Sequence, residues 1–159
     1  MSVESQTVWM DFIQAYEAYK NVINKLMSTA DYIEDIRQGL ENPRQREAAI
    51  VFLQYVSEED LKILFEDILA VASFSHGLTD AARQVILKLP VHWLLQNIER
   101  SAEKLLSFET EEEYRGLFEI YIRLDLNLAK RLAQRALSHS NMDIQEAGKD
   151  FMKIIQASP

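Results

Sequence analysis

Apolar residues recur at three- and four-residue steps along most of the chain. In TVWMDFIQAYEAYKNVINKLM, Val8, Phe12, Ala15, Tyr16, Tyr19, Ile23 and Leu26 share one face of a helix over residues 7–27. STADYIEDIRQGL predicts a second helix, capped by Ser28 or Thr29, with Ile33 and Ile36 as a narrow apolar edge and Gly39 as a left-handed end. In ENPRQREAAIVFLQYV, Asn42 is a cap and Pro43 fits the first helical position, where no amide donor is needed. Ala48, Phe52, Tyr55 and Val56 then face inward. Ser57 with Asp60 forms a capping-box-like start for one helix carrying Leu61, Leu64, Phe65, Ile68 and Ala72.

SHGLTD breaks the chain through Gly77, and Thr79 or Asp80 restarts it. DAARQVILKL is stopped by Pro90, which cannot continue the hydrogen-bond ladder. VHWLLQNIERSAEKLLSF carries Leu94, Ile98, Ala102 and Leu105 on one stripe. ETEEEYRGLFEIYIRL opens with acids that suit the positive end of a helix dipole. DLNLAKRLAQRALSH closes with Lys130, Arg131 and Arg135, which suit the negative end. A last helix starts beside Asp143, with Ile144, Ala147, Phe151 and Ile154 on its apolar side. No segment reads as a strand. The pattern is all-α, with nine helices.

The helices come in pairs. The leading member restarts near 43, 79, 112 and 142, at steps of about 30–36 residues, the range of helical repeats. A shift of 33 sets Phe52 on Val85, Leu61 on Leu94 and Phe65 on Ile98; a shift of 35 sets Ala82 on Leu117, Ile86 on Tyr121 and Trp93 on Leu128. Each pair buries only part of its apolar face by itself and stacks on its neighbour. The final helix is then half a unit, a lid on the pair before it. The expectation is one domain over 1–159: an N-terminal helix pair in 1–41, then repeats over 42–155.

LTDAARQVILKLP and NMDIQEAGKDFM carry a resemblance at this point. A short polar turn with Asp precedes a helix with small residues at its packed seam, here Ala81, Ala82 and Ala147, followed by aliphatics. This resembles the HEAT and armadillo-type helical repeats over about 42–155. Gly116 and Gly148 stand where that family has alanine or an aliphatic residue. The resemblance implies a short right-handed α-α superhelix of about four antiparallel helix pairs plus a C-terminal capping helix, with second helices lining a binding face. The Trp, Gly, Tyr and Pro pattern of tetratricopeptide repeats is not found.

Composition narrows the chemistry. Of 159 residues, 48% are apolar, enough for a core, while only 4 Gly and 3 Pro argue against a turn-rich sandwich or barrel. The absence of cysteine removes disulfides, thiolate nucleophiles and cysteine-ligated metals. A net charge of −8 disfavours nucleic acid. The charge is uneven: 10 Lys and Arg face 20 Asp and Glu over residues 1–113, but 7 face 5 over 114–159. The N-terminus lacks the basic and apolar regions of a signal peptide, and no apolar run approaches the ~18 residues of a membrane span. A cytoplasmic setting is expected, with neither membrane nor nucleic acid as partner.

No catalytic constellation emerges. His76 and His139 lie in polar turns after helices and His92 at a helix start, and none belongs to an H-E-x-x-H or E-x-x-H motif, so no metal site is expected. EED at 58–60 and ETEEE at 109–113 fall where first helical turns belong, and read as dipole-compensating acids rather than cation ligands. Ser73 and Ser75 beside His76 lack the glycines of a nucleophile elbow. The four glycines are single, so no loop cradles phosphate or a cofactor. The aromatic stripe Phe12, Tyr16, Tyr19 has the spacing of core packing.

One face stands out. Trp93, Asn97, Arg100 and Lys104 flank the Leu94–Ile98 stripe, and the shift of 35 sets Gln96 on Arg131 and Arg100 on Arg135. Arginines beside a tryptophan have the composition of an interface hot spot. The expectation is a non-catalytic protein-binding module or scaffold, not an enzyme. Trp93, Gln96, Asn97, Arg100, Lys104, Arg131 and Arg135 would meet an acidic or amphipathic segment of another protein. The alternative is a small-molecule-binding or enzymatic bundle whose pocket is lined by Tyr16, Tyr55, Trp93 and Tyr121. A third reading makes the chain an accessory domain or piece of a longer repeat protein.

Overall fold

A computed structural model describes residues 3–74 and 77–157. Among these, all regular structure is helical: α1 (Val3–Met27), α2 (Tyr32–Glu41), α3 (Arg46–Phe52), α4 (Glu58–Ile63), α5 (Phe65–Ser73), α6 (Thr79–Ile86), α7 (Val91–Leu106), α8 (Glu111–Leu124), α9 (Leu126–Leu137) and α10 (Met142–Ala157). The described residues thus hold ten helices rather than nine. The extra one arises at Leu64, whose backbone (φ −86°, ψ 2°) separates α4 from α5 within a segment that reads as one helix. Neither Pro nor Gly marks the break. Leu64 is fully buried, and the bend lets Leu61, Leu64, Phe65 and Ile68 all reach the core.

Local chemistry sets the ends. Ser57 Oγ accepts from the Asp60 amide at 3.2 Å, and Asp125 Oδ1 from the Leu128 amide at 2.8 Å. Asn141 Oδ1 accepts from the Asp143 amide at 2.9 Å and starts α10. Several expected ends move. Ser28 and Thr29 close α1 instead of capping α2: their hydroxyls donate back to Lys25 O and Leu26 O. Pro43 sits in a turn, and α3 begins three residues later, after Asn42 Oδ1 has accepted from the Arg44 amide. With α3 ending at Phe52, the inward set becomes Ala49, Ile50, Phe52, Leu53 and Val56, while Ala48 and Tyr55 are exposed.

The helices form two rows. The trailing row is α2, α4–α5, α7 and α9. The Tyr32 hydroxyl donates to Asp60, and Arg37 Nε donates to Asp67 at 3.1 Å. The Phe65 ring meets Trp93 edge-on at 5.1 Å, and Arg131 and Arg135 reach Glu99 and Glu103. Partners advance together from α2 to α4–α5 and from α7 to α9, so these neighbours run parallel, at separations of 28 to 32 residues. The expected leading row is α3, α6, α8 and α10, although α6 packs chiefly on α5. Its best-packed step is α8 on α10, where Phe118 stacks on Phe151 at 4.1 Å and Arg115 reaches Asp150 at 3.3 Å. Among the described residues, substantial packing joins helices no more than three apart in chain order, from α2 against α3 and α5 through to α9 against α10. The leading-helix starts at 46, 79, 111 and 142 keep the expected spacing.

Three glycines mark close helix approach. A Cβ on Gly116 would lie 2.6 Å from the carbonyl carbon of Ser73, so α8 rests directly on the end of α5. One on Gly148 would lie 2.8 Å from the Leu137 amide nitrogen. Gly39 is inside α2, not at its end, and faces Ala49.

The first helix departs most from expectation. Only its C-terminal end docks, through Ile23, 5% exposed, and Leu26 against the core. Trp9, Phe12, Tyr16 and Tyr19 remain 57%, 56%, 47% and 40% exposed. Trp9 stacks on Phe12 at 5.5 Å and Phe12 on Tyr16 at 6.4 Å along the helix rather than into the core, while Tyr19 meets the Tyr55 ring edge-on. The expected N-terminal pair is therefore joined only at its base.

Candidate functional site

The seven residues singled out on α7 and α9 lie along the outer surface of the trailing row. On α7, Leu94, Ile98, Ala102 and Leu105 are buried, which turns Gln96 and Arg100 outward by helical geometry. Trp93 and Lys104 flank that outer line on the side of α4–α5. Trp93 is half-buried on Phe65, with Lys62 Nζ 5.9 Å from its ring centroid. Asn97 Nδ2 donates to Trp93 O at 2.8 Å, and Arg100 donates weakly to Asn97 Oδ1 at 3.4 Å.

On the other side the surface is a ladder of ion pairs. Arg131 donates to Glu99 at 2.9 and 3.0 Å, and Arg135 donates to Glu103 at 2.6 and 3.0 Å, each through two parallel bonds. The two pairs roof a small cleft of about 160 Å³ over Tyr121, Leu106 and Leu132. The Arg135 guanidinium holds the Glu103 carboxyl below the usual glutamate range. Burial, with Glu99 and Glu103 nearby, pushes the Tyr121 hydroxyl pKa up. Both arginines are therefore already met by the chain's own carboxylates. With side chains about half exposed, each pair is worth only ~0–1 kcal/mol, and a partner's carboxylate can displace it at little loss.

Below this surface a groove of about 660 Å³ crosses the ends of α2, α5 and α7. Its apolar parts include Leu40, Val71, Phe74 and Leu105, with Ile63 and Phe108 exposed on the rim at 59% and 57%. Lys104 lines it as well. Arg37 is held by Glu34 and Asp67, and Arg46 by the carbonyls of Leu40 and Glu41. A second cleft of about 590 Å³ separates α6 from α8 and mixes Asp80, Glu111 and Glu119 with Arg83 and Arg115. Burial lowers the Arg83 pKa, and its Nε donates to Ala72 O at 3.1 Å.

The alternative aromatic pocket is not assembled. Tyr16 lies on the open part of α1, Tyr55 packs edge-on to Tyr19, Trp93 sits on Phe65 and Tyr121 lies under the ladder. His139 is tied into the α9–α10 turn, its Nδ1 accepting from the Asn141 amide at 3.0 Å and its ring edge-on to Tyr114. His92 is exposed at the start of α7, while Ser75 and His76 lie outside the described residues. The acids at 58–60 and 111–113 do occupy the first turns of α4 and α8. Glu113 is nonetheless buried, takes a hydrogen bond from the Thr110 hydroxyl, and has its pKa raised by that burial. Among the described residues no cluster of His, Asp and Glu is arranged to hold a metal ion, and no helix is long and apolar enough to cross a membrane.

Fold and surface together define an all-helical protein with an outward face of ion pairs and a neighbouring apolar groove. Comparison with protein-family models, curated proteins and solved structures returned no match.

Proposed function

We propose that the chain is a non-catalytic helical-repeat module of HEAT/armadillo type that binds a segment of another protein along its trailing row. The observation carrying this reading is the parallel course of α7 and α9, bridged by two ion pairs at a constant separation of 32 residues, beside the groove that spans α2, α5 and α7. Parallel second helices at fixed separation are what a repeat stack provides, and such rows serve extended partners. The partner chemistry that fits is an amphipathic segment. Its apolar residues enter between Ile63, Phe74 and Phe108, and its carboxylates meet Lys104 and Arg100 or displace Glu99 and Glu103 from Arg131 and Arg135.

A paired pull-down tests it. Ile63→Ala/Phe108→Ala and Arg100→Ala/Arg131→Ala/Arg135→Ala alter exposed side chains and are expected to keep the melting temperature within a few degrees. Both variants should lose a protein that the wild-type chain retains. Identical capture by wild type and both variants would remove this face from consideration.

A further inference from the structure

The open part of α1 has a use of its own, independent of the trailing-row face. Trp9, Phe12, Tyr16, Tyr19, Ile23 and Leu26 follow one another at steps of three, four, three, four and three. That is the 3.5-residue seam by which one helix packs along another. The lower end, Ile23 and Leu26, is used within the chain against α2 and α3; the upper end, with Val8 and Val22 beside it, faces solvent. Six side chains about half exposed, at ~150–250 Å² each for the aromatic ones, leave roughly 600 Å² of apolar area open. This is at the top of what a monomer exposes in one patch.

Two features of α1 select the occupant. Its polar back carries Asp11, Gln14, Glu17, Asn21 and Asn24, and the helix as a whole holds three acidic and two basic residues. A helix that lies on a membrane carries lysine and arginine there instead. The chain also bears −8 overall, so two copies repel, and the nearly neutral α1 is a place where they can approach.

We propose that α1 pairs with α1 of a second copy, antiparallel, about a two-fold axis midway between Phe12 and Tyr16. The seam residues Trp9, Phe12, Tyr16 and Tyr19 are placed symmetrically about that point, and Ala15 next to it is small and exposed. Antiparallel pairing sets Trp9 against the other copy's Tyr19 and Phe12 against its Tyr16, with Val8 and Val22 flanking these layers. It also keeps the two bodies at opposite ends; a parallel pair would drive them together where Ile23 is already covered. Each Trp9 then reaches the mouth of the other copy's apolar cleft of about 620 Å³ between α1, α2 and α3, which includes Tyr19, Val22, Ile36, Ala49 and Phe52. The pair buries roughly 1,200 Å² in total, the lower bound of a standard stable interface.

Light scattering coupled to gel filtration reads the mass of the full chain across the micromolar range. The expected mass is twice 18.4 kDa for wild type and for Met10→Glu, which lies off the seam, and 18.4 kDa for Trp9→Glu/Phe12→Glu with its circular dichroism unchanged. A monomeric wild type overturns the proposal, as does a Trp9→Glu/Phe12→Glu variant that stays dimeric. Co-flotation of a monomeric wild type with phosphatidylserine vesicles would assign the seam to a lipid surface and overturn it too. Because the chain has no cysteine, single-cysteine variants report orientation. Ala15→Cys should cross-link on oxidation. Val8→Cys should not, its two copies lying ~20 Å apart by helical rise; ready cross-linking through Val8→Cys would refute the antiparallel arrangement.

Discussion

Gly116→Ala sets two effects of opposite sign against each other. Inside a helix, alanine is more favourable than glycine by ~1 kcal/mol, so on helix propensity alone the variant should be more stable. The packing opposes this. The added Cβ would meet the Ser73 carbonyl carbon at 2.6 Å and its Cα at 2.7 Å, and the carbonyl oxygen closer still. Carbon atoms rest at ~3.5–4.0 Å, so α8 must withdraw from α5 by about 1 Å. The obstacle is backbone, fixed by α5 itself, and no rotamer change relieves it. Withdrawal also loosens Leu117, Phe118, Ile68 and Leu69, all buried around the same crossing. Overpacking of this kind costs ~3 kcal/mol or more, against a gain of ~1, for a net loss of about 2 kcal/mol. At ~2–4 °C per kcal/mol for a chain of this size, the melting temperature should fall by about 4–8 °C. Thermal melts and urea titrations of wild type, Gly116→Ala and Gly77→Ala measure the two quantities. A methyl group on Gly77 would meet nothing within 4 Å, and the residue has no left-handed φ, so its change should stay within ~0.5 kcal/mol. A Gly116→Ala protein as stable as wild type, or more so, would show that α8 does not sit on the end of α5.

Phe118→Ala should lose ~3–5 kcal/mol by denaturant titration, because it empties a buried ring stacked on Phe151 and unseats α10 from α8. Tyr32→Phe removes the hydroxyl that donates to Asp60 and should cost about 1–2 kcal/mol at neutral pH. Tyr32 and Ser57 hold the Asp60 carboxyl below the usual range, so that stabilisation exists above its unfolded value and fades as pH falls through the folded one. The wild type–variant difference should therefore narrow in acid. At the other extreme, burial and Asp60 push the Tyr32 pKa up to about 12, so its contribution is complete below the unfolded tyrosine value, ~10, and disappears as pH rises through about 12. A double-mutant cycle on Glu103 and Arg135 should give a coupling of ~0.2–1 kcal/mol that weakens in salt and vanishes as pH falls through the lowered Glu103 pKa; a salt-independent coupling would mean the ladder is shielded from water.

The helices were legible where local chemistry and periodicity agree. Ser57, Asp125 and the acids before Tyr114 mark real helix starts, and Leu94, Ile98, Ala102 and Leu105 are buried as their spacing requires. The break at Leu64 was not legible, because Ile63, Leu64 and Phe65 form an unbroken apolar run without Pro or Gly. The ladder was half legible. A shift of 35 places Arg100 on Arg135 and suggests a row of like charges, whereas the helices meet at a separation of 32, which places Glu99 on Arg131 and Glu103 on Arg135. Three residues is nearly one helical turn, so apolar stripes match almost equally well at either shift. Only the charges tell the two registers apart: complementary at 32, like at 35.

The same limit explains α1. Periodicity says that one face of a helix will be covered; it does not say by what. Ile23 and Trp9 belong to one seam, yet one is buried and the other more than half exposed, because α2 and α3 are short and end the body beside Ile23. Twenty-five residues of α1 span ~37 Å, against ~15 Å for the ten residues of α2 beside it. No rotation of α1 about its axis can bring Trp9 onto a body that stops short of it. Its seam needs a surface from outside the fold, and a helix presenting the same spacing in the opposite direction supplies one.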